Sequence, residues 1–165
     1  MPLSDLFLKN ANNKRPAKNK LDIAILLILN ILSSIKSLKK KPKVKIFGND
    51  YKTKDGTCER DFIHVVDLAK GHVAAIKKIN TLNGYNIFNL GTGNPVSVLE
   101  IINHFQNINK INIPYIFTKR RDGDIESSYC DTSHTYKILN WKTTKTIQDI
   151  CKDAWRFQKL NPNGL

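Results

Sequence analysis

The sequence contains little cysteine, and the cysteines it has are not grouped. Cys58, Cys130 and Cys151 lie far apart and form no Cys-x-x-Cys pair. An odd number of scattered cysteines argues against a disulfide framework and against a zinc site, and it indicates a reducing compartment. We therefore expect a cytoplasmic protein that holds no metal.

The sequence also lacks an apolar run long enough to cross a bilayer. The longest run, residues 21–35, has about 15 residues, whereas a spanning helix needs about 20. Asp22 interrupts this run, and no small-residue cleavage site follows it, so a signal sequence is disfavoured as well. A helix that packs against the rest of the chain is the simpler interpretation.

Acidic residues are scarce, since 14 Asp and Glu oppose 27 Lys and Arg and leave a net charge of +13. Residues 1–45 hold eleven of the basic side chains and only two acidic ones. A basic segment of this kind can bind nucleic acid or an anionic membrane. No known nucleic-acid motif accompanies the charge, and Lys, Asn and Ile are abundant along the whole chain. A general compositional bias is favoured, and neither nucleic acid nor membrane is expected as a partner.

The chain divides into three parts by composition. Residues 1–20 are polar, basic and without periodicity, which predicts a disordered tail. Residues 21–43 combine the apolar run, predicted as a helix, with a basic connector. Residues 44–165 alternate strand-like and helix-like segments, and this alternation predicts one α/β domain.

Within that domain, strands are predicted where β-branched and aromatic residues cluster, and helices where apolar residues recur every three or four positions. The predicted strands are VKIF (44–47), RDFIHVV (60–66), YNIFNL (85–90) and IPYIF (113–117). One helix is predicted to follow Asp67 as its N-cap, and a second to start at a Ser97-x-x-Glu100 capping box. Two further helices are predicted within 131–141 and 146–160, after a charged loop at 119–128.

A glycine turn, Gly91-Thr92-Gly93, lies between an apolar segment and a helix, as a dinucleotide-binding turn does. The dinucleotide fingerprint requires a third small residue, but Val96 stands there, and no acidic residue follows at the expected strand end. A structural turn or the wall of a binding site is therefore favoured over an NAD loop.

Tyr115 and Lys119 have the Tyr-x-x-x-Lys spacing that short-chain dehydrogenases use for proton transfer. On a helix this spacing stacks the two side chains on one face, where the ammonium lowers the pKa of the phenol. Pro114 and the surrounding β-branched residues predict a strand, on which four residues span about 13 Å. No catalytic residue is expected from this pair.

One long stretch carries a more specific signal. The segments IFGNDYKTKDGTCERDFIHVVDLAKGHVAA, YNIFNLGTGNPVSVLEII, PYIFTKRRDGD and LNW...DAWRFQKLNPNG occur in this order. They closely resemble the carboxyl-terminal, substrate-binding part of UDP-glucose 4-epimerases, which belong to the extended short-chain dehydrogenase/reductase family. The resemblance covers residues 44 to 164 and is faint before them. It implies a small mixed α/β domain without the amino-terminal Rossmann domain.

The resemblance implies a UDP-hexose site, residue by residue. Arg60 and Arg121 would clamp the diphosphate, and Asp124 would accept hydrogen bonds from the ribose hydroxyls. Planar guanidinium forks suit phosphate oxygens, so this assignment is chemically reasonable. The other implied contacts are Lys45 and Phe47 at the uracil, Phe62 and Val98 lining the pocket, and Ser128 beside the hexose. A side chain as small as serine would leave room for an N-acetyl group.

Structural roles are open for several of these residues. Arg60 lies between Glu59 and Asp61 and could form a solvated ion pair with either of them. Arg120 and Arg121 could belong to a surface loop. His64 and His72 have the chemistry of acid–base groups. They fall where the family has structural residues, so no catalytic role is expected for either.

The activity that the resemblance implies is the interconversion of UDP-glucose and UDP-galactose in galactose metabolism, an isomerase reaction that uses NAD in the intact family. The NAD-binding residues and the catalytic Tyr-x-x-x-Lys pair are absent from this sequence, so a truncated chain that is inactive alone is expected. Expected ligands are UDP-glucose, UDP-galactose and UDP-N-acetylhexosamines, and the family forms homodimers.

Two alternatives to an epimerase fragment are open. One is a non-catalytic module that binds nucleotide sugars or regulates another protein. The other is a basic protein derived from a decayed enzyme, which associates with nucleic acid or membranes through its charged front segment.

Overall fold

Two short sheets and four α-helices make up residues 43–162, the part of the chain that this computed structural model describes. The predicted tail, 1–20, and the predicted helix with its connector, 21–43, lie outside the described residues except for Lys43. The strands are β1 (Val44–Phe47), β2 (Glu59–Arg60), β3 (Val96–Ser97), β4 (Tyr115–Thr118) and β5 (Ser127–Ser128). The helices are α1 (Val65–Lys78), α2 (Val98–Asn109), α3 (Ser133–Leu139) and α4 (Ile147–Leu160).

The sheets contain both parallel and antiparallel pairs. β1 pairs with β4 in parallel, with Val44 opposite Tyr115 and Phe47 opposite Thr118. In the second sheet β2 lies in the centre, antiparallel to β3 and parallel to β5. The small mixed α/β architecture that the resemblance predicted is confirmed.

The main core lies where α2 packs against β1 and α4. Ile101, Ile102 and Phe105 are at most 1% exposed, because they recur at helical spacing on one face of α2. Trp155 of α4 meets the Phe105 ring edge-on, with 6.2 Å between ring centroids. The rest of this core comprises Val44, Ile46, Tyr51, Cys58, Phe62, Val98, Ile113, Ile150 and Cys151.

Capping boxes fix the starts of α2 and α4. The Ser97 hydroxyl accepts a hydrogen bond from the Glu100 N–H, and the Glu100 carboxylate accepts one from the Ser97 N–H. This confirms the predicted start of α2. Thr146 and Asp149 form the same arrangement at α4, which ends at Leu160 as predicted.

The first helix begins before the residue predicted to cap it. β2 ends at Arg60, and α1 starts at Val65 with His64 as its N-cap. The His64 Nδ1 atom accepts a hydrogen bond from the Val66 N–H at 3.1 Å. The prediction of a strand over 60–66 with Asp67 as the cap was wrong. A histidine takes the position at which Ser, Thr, Asp or Asn is expected, so the sequence carried no recognisable cap.

Asp67 is a buried link between α1 and the segment before α4. Its side chain is fully buried and accepts hydrogen bonds from the Thr144 N–H, the Thr144 hydroxyl and the Lys145 N–H, at 2.7 to 2.9 Å. Burial alone would raise the pKa of this carboxyl group, but the three hydrogen bonds outweigh it and hold the pKa below its ordinary value.

Residues 85–90, predicted as a strand, form no regular secondary structure. Tyr85 and Ile87 are 85% and 81% exposed, and no strand within residues 43–162 pairs with them. α1 exposes apolar side chains as well, including Val73 and Ile76. Alternating apolar residues need a partner strand to form a sheet, and the described part of the chain offers none here.

Asp67→Asn is expected to lower the free energy of unfolding by about 2 kcal/mol at pH 7, because hydrogen bonds to a buried charge are lost. The folded pKa is depressed, so the contribution of Asp67 is present above the unfolded pKa, near 4, and is lost as pH falls through the folded pKa. Urea unfolding of both proteins should therefore give a difference that shrinks below about pH 4.

The exposed Asp122 provides the control, since Asp122→Asn should change stability by less than about 0.5 kcal/mol at any pH in this range. A deficit in the Asp67→Asn variant that stays constant from pH 7 to pH 3 would contradict the proposed role of the carboxylate.

Candidate functional site

Four of the predicted site residues meet in one cluster beside β1 and β2. The Asp124 carboxylate bridges two arginines, with Oδ1 3.4 Å from Arg60 Nη2 and Oδ2 3.1 Å from Arg121 Nε. The Arg121 guanidinium lies over the Phe47 ring, 4.3 Å from its centroid. Two cations, one carboxylate and one aromatic face thus lie together, although their residues are far apart in the chain. We call Phe47, Arg60, Arg121 and Asp124 the arginine cluster.

Arg60 is the buried member of the arginine cluster, at 4% exposure. Its Nη1 atom donates to the Glu59 carbonyl at 2.7 Å and to the Ile125 carbonyl at 3.0 Å. Its ion-pair partner is Asp124, so the alternative of a solvated ion pair with Glu59 or Asp61 was wrong. A buried guanidinium with its donors held by carbonyl groups keeps a fixed direction.

Arg121 is the accessible member, because about half of its side chain is exposed. The neighbouring Arg120 serves another purpose: its Nε donates to Asp50 Oδ1 at 2.7 Å, and its guanidinium lies 4.0 Å from the centroid of the Tyr51 ring. The hydrogen bond from Arg120 holds the pKa of Asp50 below its ordinary value. Two consecutive arginines therefore have separate roles, since Arg120 fastens the loop after β1 and Arg121 joins the arginine cluster.

The other predicted contacts surround the arginine cluster to different degrees. Ser128 is half-buried and pairs with Arg60 across β2 and β5. Lys45 is exposed and stands two residues before Phe47, on the same face of β1. Phe62 and Val98 are buried in the main core, at 2% and 7% exposure, and their contact with a ligand stays a prediction.

The glycine turn already holds a carboxylate of this chain. Asp61 accepts hydrogen bonds from the N–H groups of Thr92 and Gly93 and from the Thr92 hydroxyl, at 2.5 to 3.1 Å. It also accepts one from the Cys130 N–H at 3.2 Å. A phosphate bound at this turn would need the same backbone N–H groups, so Asp61 occupies the position that such an anion would take. Sequence reasoning missed this role, because it treated Asp61 only as a possible partner of Arg60.

The remaining candidates take structural positions. Tyr115 lies in β4, as predicted, so the Tyr-x-x-x-Lys spacing there is not on a helix. His64 caps α1, and its Nε2 atom lies 3.2 Å from Asp153 Oδ2. His72 Nδ1 lies 2.9 Å from the Leu68 carbonyl within α1.

Two kinds of feature are absent from residues 43–162. No helix in this range has the length and apolar character needed to span a bilayer. No three His, Cys, Asp or Glu side chains of the described segment are grouped so as to hold a metal ion.

The chain is similar to one class of proteins over part of its length. Residues 24–91 match the model of the NAD dependent epimerase/dehydratase family. The similar solved structures are extended short-chain dehydrogenase/reductase epimerases. One, UDP-glucose 4-epimerase from Bifidobacterium longum in complex with NAD+ and UDP, has a TM-score of 0.74 and 42% identity, over 84% of this chain and 39% of that chain. Another, from Stenotrophomonas maltophila with bound NAD and formylated UDP-arabinopyranose, has a TM-score of 0.77 and 38% identity, over 82% of this chain and 40% of that chain.

Within this class the similarity is to UDP-glucose 4-epimerases. The enzyme of Dictyostelium discoideum is 50% identical over 126 residues, and that of Homo sapiens is 43% identical over 126 residues. Each alignment covers 76% of this chain, but only 37% and 36% of the respective relative. The chain is thus similar to the carboxyl-terminal part of these enzymes, as its motifs predicted, and it spans little more than a third of their length.

Gly91→Ala is expected to lower the free energy of unfolding by about 2 kcal/mol, because the new methyl group overpacks the site. A Cβ at Gly91 would lie 2.5 Å from Asp61 Oδ2 and 2.8 Å from Cys130 Cβ. Gly123→Ala is the control, since Gly123 has φ +81 but nothing within 4 Å of an added Cβ. The control should cost about 1 kcal/mol, from backbone strain alone. Equal decreases in Tm would show that Asp61 is not tightly held.

Proposed function

We propose that this chain carries the UDP-hexose-binding part of a UDP-glucose 4-epimerase, the isomerase that interconverts UDP-glucose and UDP-galactose in galactose metabolism. The observation that supports this proposal is the arginine cluster, in which Arg60 and Arg121 approach one carboxylate from two segments of the chain. A diphosphate offers the same kind of oxygen acceptors, and guanidinium groups bind them with directed hydrogen bonds. The similar Bifidobacterium longum structure contains UDP.

The two arginines would bind the diphosphate in different ways. Arg60 is buried and held by two carbonyl groups, so it presents a fixed donor with little loss of side-chain entropy on binding. Arg121 is half-exposed and rests on the Phe47 ring, so it can close over a ligand from the solvent side. A fixed and an accessible cation together would set the direction of a diphosphate.

Ser128 would set which hexose fits. It is half-buried and pairs with Arg60, so a group attached to the bound diphosphate would lie near it. Its small side chain leaves space for an N-acetyl group, and we extend the ligands from UDP-glucose and UDP-galactose to UDP-N-acetylhexosamines. The UDP-Glc/GlcNAc 4-epimerase of Campylobacter jejuni has 33% identity and a TM-score of 0.71 to this chain, over 94% of it and 44% of that protein.

We further infer that the chain by itself binds the nucleotide sugar without interconverting it. Related structures contain NAD, but the glycine turn of this chain is filled by Asp61. The chain also spans only 37% of the Dictyostelium discoideum relative. No step of an epimerase reaction is therefore assigned to its described residues.

Arg121→Ala is expected to weaken UDP binding at least about tenfold, because a charge-assisted contact to the diphosphate is lost. Isothermal titration of the full chain with UDP and UDP-glucose measures the change, with circular dichroism as the check on folding. Wild-type chain supplied with NAD and UDP-glucose should form no UDP-galactose.

The matched control is Arg120→Ala, which removes the same side chain one residue earlier but outside the arginine cluster. It should change the Kd for UDP by less than about twofold. A folded wild-type chain that does not bind UDP, or equal losses in both variants, would overturn the proposed function.

Asp124→Asn should separate the two roles of this carboxylate. Pyrophosphate competes with Asp124 for Arg60 and Arg121, so it should bind the variant roughly tenfold more tightly. UDP gains in the same way but loses the acceptor for its ribose hydroxyls. The ratio of the Kd for UDP to the Kd for pyrophosphate should therefore rise about tenfold, as measured by titration calorimetry.

Asp122→Asn removes the same charge from an exposed position in the same loop and should leave this ratio unchanged. A ratio that moves equally in both variants would mean that the effect is one of net charge, and that Asp124 does not contact the ligand.

A further inference from the structure

Asp61 connects three segments around Arg60. Its carboxylate binds the N–H groups of Thr92 and Gly93, 31 and 32 positions further along the chain, and that of Cys130, 69 positions further. Its own N–H donates to the Ser128 carbonyl at 3.1 Å. One residue thus fastens the end of β2 to the glycine turn and to the end of β5.

These connections are placed on both sides of Arg60. β3 and β5 flank β2, where Val96 and Ser128 lie opposite Arg60. Each of these strands has only two residues, so the ladder itself provides few hydrogen bonds. The Asp61 carboxylate ties the turn that leads into β3 to Cys130, two residues after the end of β5. It therefore supports both strands that pair with the Arg60 backbone.

The packing at the turn leaves Asp61 little freedom. An added Cβ at Gly91 would collide with the Asp61 carboxylate and with Cys130, which shows how closely the three residues approach. Loss of the carboxylate would remove the bonds to the turn and to Cys130 at the same time, and leave only the bond from the Asp61 N–H to the Ser128 carbonyl. The Arg60 backbone would then be held only by the two-residue strand ladders, and a shift of this backbone would move the guanidinium relative to Ile125 and Asp124, which bind it.

We propose that Asp61 is a positioning residue for diphosphate binding, and that it acts through Arg60. The inference rests on the proposed function, because it assigns Asp61 to the same UDP site. Asp61 itself makes no contact with the ligand, since its oxygens are occupied by the turn. Its effect on UDP affinity is therefore transmitted by the orientation of Arg60.

A double-mutant cycle tests this transmission, because it isolates the coupling between two residues. The full-length proteins are wild type, Asp61→Asn, Arg60→Met and the double variant, and the measurement is the Kd for UDP by titration calorimetry. Asp61→Asn is expected to weaken UDP binding about tenfold in the wild-type background. In the Arg60→Met background it should weaken binding by less than about twofold, since the group through which it acts is gone.

Two further variants separate positioning from loss of stability. Asp67→Asn also removes a carboxylate that accepts three hydrogen bonds, but these come from Thr144 and Lys145, which are outside the arginine cluster. This variant should leave the Kd for UDP unchanged within about twofold. Thr92→Val removes only one hydrogen-bond donor to Asp61, so it perturbs the turn less than Asp61→Asn does. It should weaken UDP binding in the same direction by about threefold, and it gives the answer if Asp61→Asn does not fold.

The outcomes distinguish the two proposals. If wild type binds UDP and Arg60→Met weakens it, the proposed function stands whatever Asp61 does. Equal losses from Asp61→Asn in both backgrounds, or no loss from it or from Thr92→Val, would overturn the positioning role alone. A folded wild-type chain that fails to bind UDP would overturn both.

Discussion

Each strand of the second sheet has only two residues, so its ladder holds the neighbouring loops weakly. The domain depends on aspartate side chains to hold these loops in place. Asp61 binds the glycine turn, and Asp67 binds the segment before α4. Asp55 binds the Thr57 N–H and the hydroxyl group of Ser97 at the start of α2. Each accepts several hydrogen bonds from residues distant in the chain or at a loop end, so these carboxylates replace the missing ladder.

The arginine cluster depends on the same device. Asp124 holds Arg60 and Arg121 together, and Arg60 is further fixed by the carbonyls of its own strand and of the loop that carries Asp124. Arg120, next in the chain to Arg121, is directed to Asp50. In the loop after β4, consecutive arginines thus bind two different partners, although about half of each side chain is exposed.

Local features of this fold could be predicted from sequence, whereas long-range ones could not. Residues within a few positions of one another determine the capping box at Ser97, the apolar face of α2 and the strand at Tyr115. The start of α1 was missed because a histidine caps it, and 85–90 was overpredicted because a strand needs a partner. The arginine cluster was anticipated only through the family resemblance. The role of Asp61 was not, since contacts across 31 and 69 positions leave no periodic pattern.

The filled glycine turn also bears on how such sequences diverge. Gly91 has no room for a side chain because Asp61 and Cys130 lie against it, so these positions constrain one another although they are separated in the sequence. A larger residue at position 91 is tolerated only if the Asp61 side chain moves away. Residues 61 and 91 are therefore expected to change together in relatives. The glycine spacing in this segment therefore reflects a turn that packs against and binds an aspartate of the same chain, rather than a nucleotide. Counting glycines alone would assign a cofactor to this turn.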